Sequence, residues 1–587
     1  MVKKRFLMII AMVFVMGLAL IGCSNSDDAN TGTNKPKTGN NSGPNEEGGE
    51  GVEGGKVTFA FYAAPGGVFN PLLLSETNEQ YIVEFVYESL IELDEELAWK
   101  PLLAKSWEFE DDNKTLVFTL NENVKWHDGE PFTANDVKYT YEVVAHPEYT
   151  GVRQDYAGDL VGFEEFNSGK ADELSGVEVV NDYTVKLHFK EQNALALFRG
   201  SIDIIPEHVF SKYDVKDLKT APEVINFNDI IGTGPFKASE SVTNESYSLV
   251  RNDDYFKGSP KLDGVVWKVV NEDLASGLLE NGEVDVLLSV APQDYELVES
   301  IPGIKMHEAP ALSYNWLGFK LNQRPKEDVE KGVIDPEHFI PNKKVQDKKL
   351  RQAIAYAINR EGIVNGLLGG HGTVINGHMA PSSWAYNEEG VNTYPFDPEK
   401  AKSILDEAGY KDANNDGFRE DPDGKELVLK LDYTTGAREK AVPIIVQQLE
   451  EIGLKIDLQM PMDLGSLISM LEKDEDTDIF VAGWEPNTED PDPKSTYWDT
   501  KSIWNITRWN DKHQQELLDK GVKTPEAFDQ EYRVGIYNEW NAYVMEELPM
   551  LSLYANNSIR AWNDKIQNVK PEQLKIFRDI HEWYIQN

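Results

Sequence analysis

Residues 478–493 read DIFVAGWEPNTEDPDP, and no other stretch limits the architecture of the chain as tightly. Ile479 to Ala482 is a short apolar run with a β-branched core. Gly483 and Trp484 follow it, and then comes a loop dense in Pro, Asp and Asn. The pattern predicts a buried strand that opens abruptly at its carboxyl end. Open α/β sheets bind ligands at such ends. A glycine lets a ligand backbone come close, an indole offers a flat apolar wall, and Asn487, Glu489, Asp490 and Asp492 offer polar groups to a cationic or amide-bearing guest. A plain strand followed by a surface turn has the same appearance, so the decision rests with the other segments.

At 587 residues there is room for two or three domains with ample core. Thirteen Trp, 24 Tyr and 24 Phe beside 27% charged residues describe a large soluble protein rather than a disordered one. No segment after residue 22 is long and apolar enough to span a bilayer. The formal charge of −44 argues against nucleic acid or anionic lipid as a partner, because a phosphate-binding surface needs clustered Lys and Arg. A solvated acidic surface accounts for that charge.

The N-terminus predicts an address. Lys3, Lys4 and Arg5 precede an uninterrupted apolar run from Phe6 to Leu20, and Leu20, Ile21, Gly22 and Cys23 close it. This resembles a bacterial lipoprotein signal, although Ile21 is a less usual residue at its position. The resemblance implies cleavage after residue 22 and a diacylglycerol on the sulfur of Cys23, hence a lipid-anchored protein on the extracellular face of the cell membrane. The other reading is an uncleaved anchor, but about 15 apolar residues at 1.5 Å each fall short of a 30 Å core. Cys23 is the only cysteine, so it forms no internal disulfide. Residues 23–55, rich in Asn, Gly, Ser, Asp and Glu, then read as a flexible tether.

From Lys56 the pattern changes. Val57 to Tyr62 reads as a first strand, and TNEQYIVEFVYESLIELD as a helical run with Ile82, Phe85, Val86, Ser89 and Leu90 on one face. Two alternating strands follow Pro101 around an Asp-Asp-Asn turn. His127 to Glu130 make a tight turn, with Thr133 or Asn135 capping the next helix. His127 reads as a turn residue before it reads as a ligand. Asp347 to Arg360 is an amphipathic helix with Leu350, Ile354, Ala357 and Ile358 inward and Lys348, Lys349, Arg351 and Arg360 outward. Asp397 caps a helix begun by Pro398 and ended by Gly409, with Ala401, Ile404, Leu405 and Ala408 as its packing stripe.

The run KWHDGEPFTANDVKYTYE from Lys125 resembles the signature of the peptide- and nickel-binding proteins of bacterial ABC importers. IGTGPFK at Ile231, RNDDYFKG at Arg251, LENGEVDVLL at Leu279, DKKLRQAIAYAINREGIV at Asp347, FDPEKAKSILDEAGY at Phe396 and the GW with DPDP at Gly483 are similar to that family's motifs, in the same order. The resemblance implies an α/β, two-lobed periplasmic-binding-protein-like fold (type II, class C) with an extra inserted domain and a ligand cleft between the lobes. It assigns residues 56–95, 228–315 and 550–587 to the first lobe, 96–227 to the extra domain and 316–549 to the second lobe. It further implies a monomer that captures short peptides by main-chain hydrogen bonds and hands them to ABC permease subunits in the membrane. Gly483, Trp484 and Glu485 would bind from the second lobe, and Tyr62 and Ala63 from the first. Peptide-binding relatives place an aspartate three residues past the tryptophan, for the peptide's ammonium group; this chain has Asn487, which cannot balance a charge. Asp490 or Asp492 then takes over, with Asp490 preferred, or both only cap a turn. Unchanged affinity of Asp490→Ala for free and N-acetylated peptides would exclude the first reading.

Two further readings remain. Asp412, Asn414, Asp416, the Phe418 carbonyl, Glu420 and Asp423 stand at positions 1, 3, 5, 7, 9 and 12 of a calcium loop, with Gly417 at position 6. Position 12 is a short aspartate and a strand follows, so an acidic turn is the competing reading; calcium, if bound, is structural, and no cofactor is required. A melting temperature equal in calcium and in chelator would retire the metal. Second, no GxSxG, HExxH or phosphate-cradling GxxxxGK followed by Ser or Thr is present, and His371 with His378 is a weak pair, so an enzyme is not expected; a hydrolase with an unfamiliar site, built from the plentiful carboxylates, is the lesser alternative. Nickel-chelate binding is the alternative within the family, and a ligand-sensing surface receptor the alternative outside transport.

Overall fold

The computed structural model describes residues 54–74, 76–94, 98–436, 438–484, 498–523, 525–571 and 577–586. Cys23, Glu485, Asn487, Asp490 and Asp492 lie outside the described residues, as does the Trp484 side chain. No helix among the described residues is long and apolar enough to cross a membrane.

A twelve-stranded sheet organises the body. In chain order its principal strands are β1 (Lys56–Phe61), β2 (Gly264–Val269), β3 (Val286–Leu287), β4 (Ile304–Pro310), β5 (Tyr314–Phe319), β6 (Val428–Tyr433), β7 (Lys455–Leu458), β8 (Ile479–Trp484) and β9 (Met550–Asn563). Across the sheet they run β7-β6-β8-β5-β9-β3-β1-β2, with β4 added on β9. Two parallel triplets result, β7-β6-β8 on one side and β3-β1-β2 on the other. Antiparallel β5 and β9 join them.

Each triplet packs its own core. Phe59 and Phe61 of β1 stack on Trp267 at 4.5 and 4.3 Å between ring centres, each such pair adding about 0.5–1.5 kcal/mol beyond burial. Leu431, Phe480, Ile445 and Trp316 lie in a second core. The 14-residue β9 belongs to both, with Leu551 and Leu553 in the second and Trp562 in the first. A separate four-stranded sheet holds Ala104–Glu110, Thr115–Leu120, Val177–Asn181 and Thr184–His188. Its Asp111, Asp112 and Asn113 turn all have positive φ, as the Asp-Asp-Asn sequence predicts.

Several local readings hold. Thr133 accepts from the Asn135 amide while Asp136 accepts from the Thr133 amide, a reciprocal cap on the helix Ala134–Ala145. Asp397 caps the helix Pro398–Ala408, and Gly409 ends it at φ +94°.

Three readings are corrected. The helix from Thr77 stops at Val83, because the Phe85 and Val86 carbonyls accept from Phe236 and Gly234 of the GTGPF segment instead of continuing a helical ladder. Arg351 and Arg360 are buried, not solvated. Arg351 donates to the carbonyls of Val345, Gln346, Glu547 and Leu548, and Arg360 to those of Ile375, Ser552 and Thr393. A guanidinium offers five donors in a fixed fork, so it can gather several main-chain carbonyls at once. The helix itself breaks after Ala357 and restarts at Arg360, with Asn359 as cap.

The GTGPF segment also seats a buried carboxylate. Glu88 accepts from the Tyr255 hydroxyl at 2.6 Å and the Thr233 hydroxyl at 3.0 Å. Burial pushes its carboxyl up to about 8, against those two hydrogen bonds and the charge of Lys257. A folded value above the unfolded one gives stability that is complete below the ordinary carboxylate pKa and lost as pH rises through about 8. Glu88→Gln is therefore expected to flatten the decline in urea resistance between about pH 5 and 8; an unchanged slope would contradict it.

Candidate functional site

The run from Ile479 forms a strand as the sequence predicts, extended through Gly483 to Trp484, and the loop after it lies outside the described residues. β6 pairs with β8 in parallel only as far as Tyr433 opposite Val481, where the Thr434 amide donates to the Val481 carbonyl. β5 continues on the other side, placing Asn315 opposite Gly483 and Tyr314 opposite Trp484. Main-chain groups alternate sides along a strand. Val481 faces β6, so the Gly483 N–H and C=O face the same way, past the point where β6 has ended. Among the described residues nothing pairs with them there, so a strand added at that edge would find one donor and one acceptor.

Gly483 has a second role. A Cβ on it would stand 1.9 Å from Nη2 of Arg438, so the missing side chain makes room for a guanidinium. Arg438 is the first residue of the helix Arg438–Glu451, which follows β6. Its Nη1 donates to the Thr434 hydroxyl at 2.9 Å, and among the described residues its buried Nε has no acceptor. Burial lowers its pKa from the ordinary value, with the Tyr554 phenol opposing. Among the described residues no carboxylate pairs with it. The sequence reading passed over this arginine, although TTGAR stands directly after the strand-like run VLKLDY, at the same kind of strand end as GW.

In the other triplet, Tyr62 and Ala63 leave the carboxyl end of β1. The Tyr62 hydroxyl donates to the Ser289 carbonyl, and burial, then Glu272 and Asp294, raises the phenol pKa. Ala63 is exposed, and its carbonyl accepts from the Asn78 amide at 2.8 Å. These contacts hold the two residues to their own side of the sheet.

The histidines do not assemble a site. His127 accepts from the Gly232 amide on Nδ1 and donates from Nε2 to the Gly234 carbonyl, and burial pushes its pKa down to about 4. It fastens a turn to GTGPF as a neutral ring. His371 pairs with Glu308 under the Tyr295 ring, whereas His378 is buried between Met550 and Ser552.

In the acidic loop, Asp412 accepts from the amides of Asp416 and Gly417, Asn414 from Asp416, Asp416 from Phe418, and Glu420 from Ala413. Asp423 turns to Lys425. No three His, Cys, Asp or Glu side chains converge as a metal site among the described residues.

This architecture has known relatives. A sequence profile of the bacterial extracellular solute-binding proteins, family 5 (middle region), matches residues 98–505. The oligopeptide-binding protein AppA of Bacillus subtilis (strain 168) is 28% identical over 598 residues, covering 99% of this chain and 99% of its own. The structure of Bacillus subtilis AppA in complex with a nonapeptide matches with a TM-score of 0.72 at 27% identity, over 92% of this chain and all of that one. NikZ from Campylobacter jejuni, in complex with Ni(L-His), matches with a TM-score of 0.70 at 24% identity over 90% of this chain and 99% of its own, a likeness of fold alone. The two parallel triplets joined by β5 and β9 are thus the two-lobed α/β fold of solute-binding proteins. By its profile match, its end-to-end relative and that fold, the chain belongs to the bacterial extracellular solute-binding proteins of family 5.

Proposed function

We propose that this protein is the oligopeptide receptor of an ATP-driven importer, taking peptides between its lobes and delivering them to membrane permease subunits. The observation that carries the reading is the open main-chain pair of Gly483 at the end of β8, the partner that an extended peptide requires for β-augmentation. The end-to-end likeness to AppA, seen with a nonapeptide, supports the same ligand class. Residues 56–95, 228–315 and 550–587 form the first lobe in this reading, 96–227 the extra domain and 316–549 the second lobe.

A mixed pool of short peptides, added well above its dissociation constant, is expected to raise the melting temperature, since a ligand at 100 times Kd stabilises by about 2.7 kcal/mol. A shift with nickel–histidine chelate and none with peptides would overturn the reading.

Residues 1–22 are a lipoprotein signal in this account, and Cys23 carries the lipid. Cys23→Ala is expected to abolish incorporation of labelled fatty acid and to leave the precursor uncleaved. Undiminished labelling of that variant would remove the anchor from the account.

A further inference from the structure

We propose that the inserted domain, residues 96–227, is a clasp that holds the two lobes shut on the bound peptide; this rests on the domain boundaries and the peptide reading above. Its attachment is the first argument. The four-stranded sheet shares one core with the first triplet, since Phe118 and Leu187 lie in the same apolar cluster as Phe59 and Trp267. A close-packed core moves as one piece, so the domain travels with the first lobe. Leu517 and Leu518, on the helix Lys512–Lys523, belong to the other core and travel with the second.

The seam where these two bodies meet is the second argument. The Ala194 amide donates to the Val522 carbonyl at 3.1 Å. That carbonyl lies in the last turn of its helix, where no later helical amide can take it. Lys523 Nζ lies 2.9 Å from the Glu191 carboxylate, with both side chains well exposed. Phe109, at the rim of the first core, meets the Phe528 ring edge to face at 5.4 Å between centres. Beside these contacts is a cavity of about 370 Å³, lined by Lys190, Gln192 and Asn193 on one side and by Asp499, Lys501 and Ser502 on the other. Polar walls around such a void are unlike a packed interior, so the seam parts without opening a core.

Position is the third. Phe109, Glu191, Ala194, Val522, Lys523 and Phe528 belong neither to β8 nor to the crossing strands β5 and β9. Lobes joined by crossing strands change their angle by hinge motion, and this seam forms at one angle. Its free energy therefore belongs to the closed form, whatever peptide is inside. A ligand held by the closed form has an apparent affinity proportional to the closed population. The clasp thus raises affinity without selecting a sequence.

The test uses the mature protein and a mixed pool of short peptides, with the affinity of each retained peptide read by mass spectrometry. Phe109→Ala together with Lys523→Glu is expected to weaken every peptide about tenfold, by the same factor. Lys523→Glu alone should weaken them about threefold, and Glu191→Lys beside it should restore the affinity, which a misfolded variant could not do. A double variant that melts like wild type and keeps wild-type affinities overturns the clasp. Loss confined to particular sequences also overturns it, because those residues would then be reading the peptide. Wild-type protein that retains no peptide overturns the peptide reading instead, and the clasp is then decided by small-angle X-ray scattering of ligand-free protein. A larger radius of gyration in Phe109→Ala with Lys523→Glu supports it, and equal radii overturn it.

Discussion

Replacing Asp474 by Asn is expected to cost at least about 3 kcal/mol of stability, because it removes the anion that three buried cations share. Lys320 Nζ and Arg324 Nε each lie 2.6 Å from the Asp474 carboxylate and Arg508 Nε lies 3.0 Å away, with all four side chains at most 3% exposed. The cations also reach main-chain carbonyls: Lys320 those of Leu471 and Ile506, and Arg508 those of Ile503 and Asn505. The cluster therefore ties the chain after β5 to the turn before β8 and to the segment that holds Ile503 to Arg508. It holds β8 from its amino end.

Burial raises the Asp474 carboxyl, but Lys320 and Arg508 outweigh it and hold the folded pKa below the ordinary value. A depressed folded pKa gives stabilisation that is present above the ordinary value and lost as pH falls through the folded one. Asp474→Asn should remove that acid-dependent part as well. Urea unfolding at neutral and acid pH checks both effects, and a loss below about 1 kcal/mol at neutral pH would show that the cluster is not what fastens β8.

Gly232→Ala is the second large effect. A Cβ there would lie 1.8 Å from the Val86 carbonyl oxygen and 2.5 Å from its carbon, both main-chain atoms that cannot swing aside. The contact is part of a tight crossing. Gly234 donates to the same carbonyl, Phe236 to that of Phe85, and His127 to that of Gly232. Moving the crossing by the ångström or more that the methyl demands would break those bonds together, so a loss of about 3 kcal/mol is expected. Gly277→Ala, in the helix Ala275–Glu280 with open space around its Cα, is the control and should be neutral or stabilising by up to about 1 kcal/mol. Equal effects of the two substitutions would show that GTGPF is only a turn signal.

These two sites mark where sequence reasoning stops. The β8 strand, the Thr133 and Asp397 caps and the Asp111 to Asn113 turn follow from local pattern, and their geometry is as the residues predict. GTGPF was legible as a motif similar to the family's, but not as a crossing, because its partner Val86 is far away in sequence. The early end of the Thr77 helix has the same cause: apolar spacing continues to Leu93, and only the distant amides of Gly234 and Phe236 show why the helix does not. Arg351 and Arg360 read as a solvated face because charge on an amphipathic helix usually is one; their partners are carbonyls, which no side-chain pattern displays. Gly483 was legible as a place of close approach. What approaches it within the protein is Arg438, a residue of another element.

The most direct test of the account is native mass spectrometry of the mature protein, purified without denaturation, followed by sequencing of whatever it carries. The account predicts a ladder of added masses that resolves into mixed peptides bound between the lobes. A single non-peptide or metal-containing adduct, with no peptide released on unfolding, would contradict it.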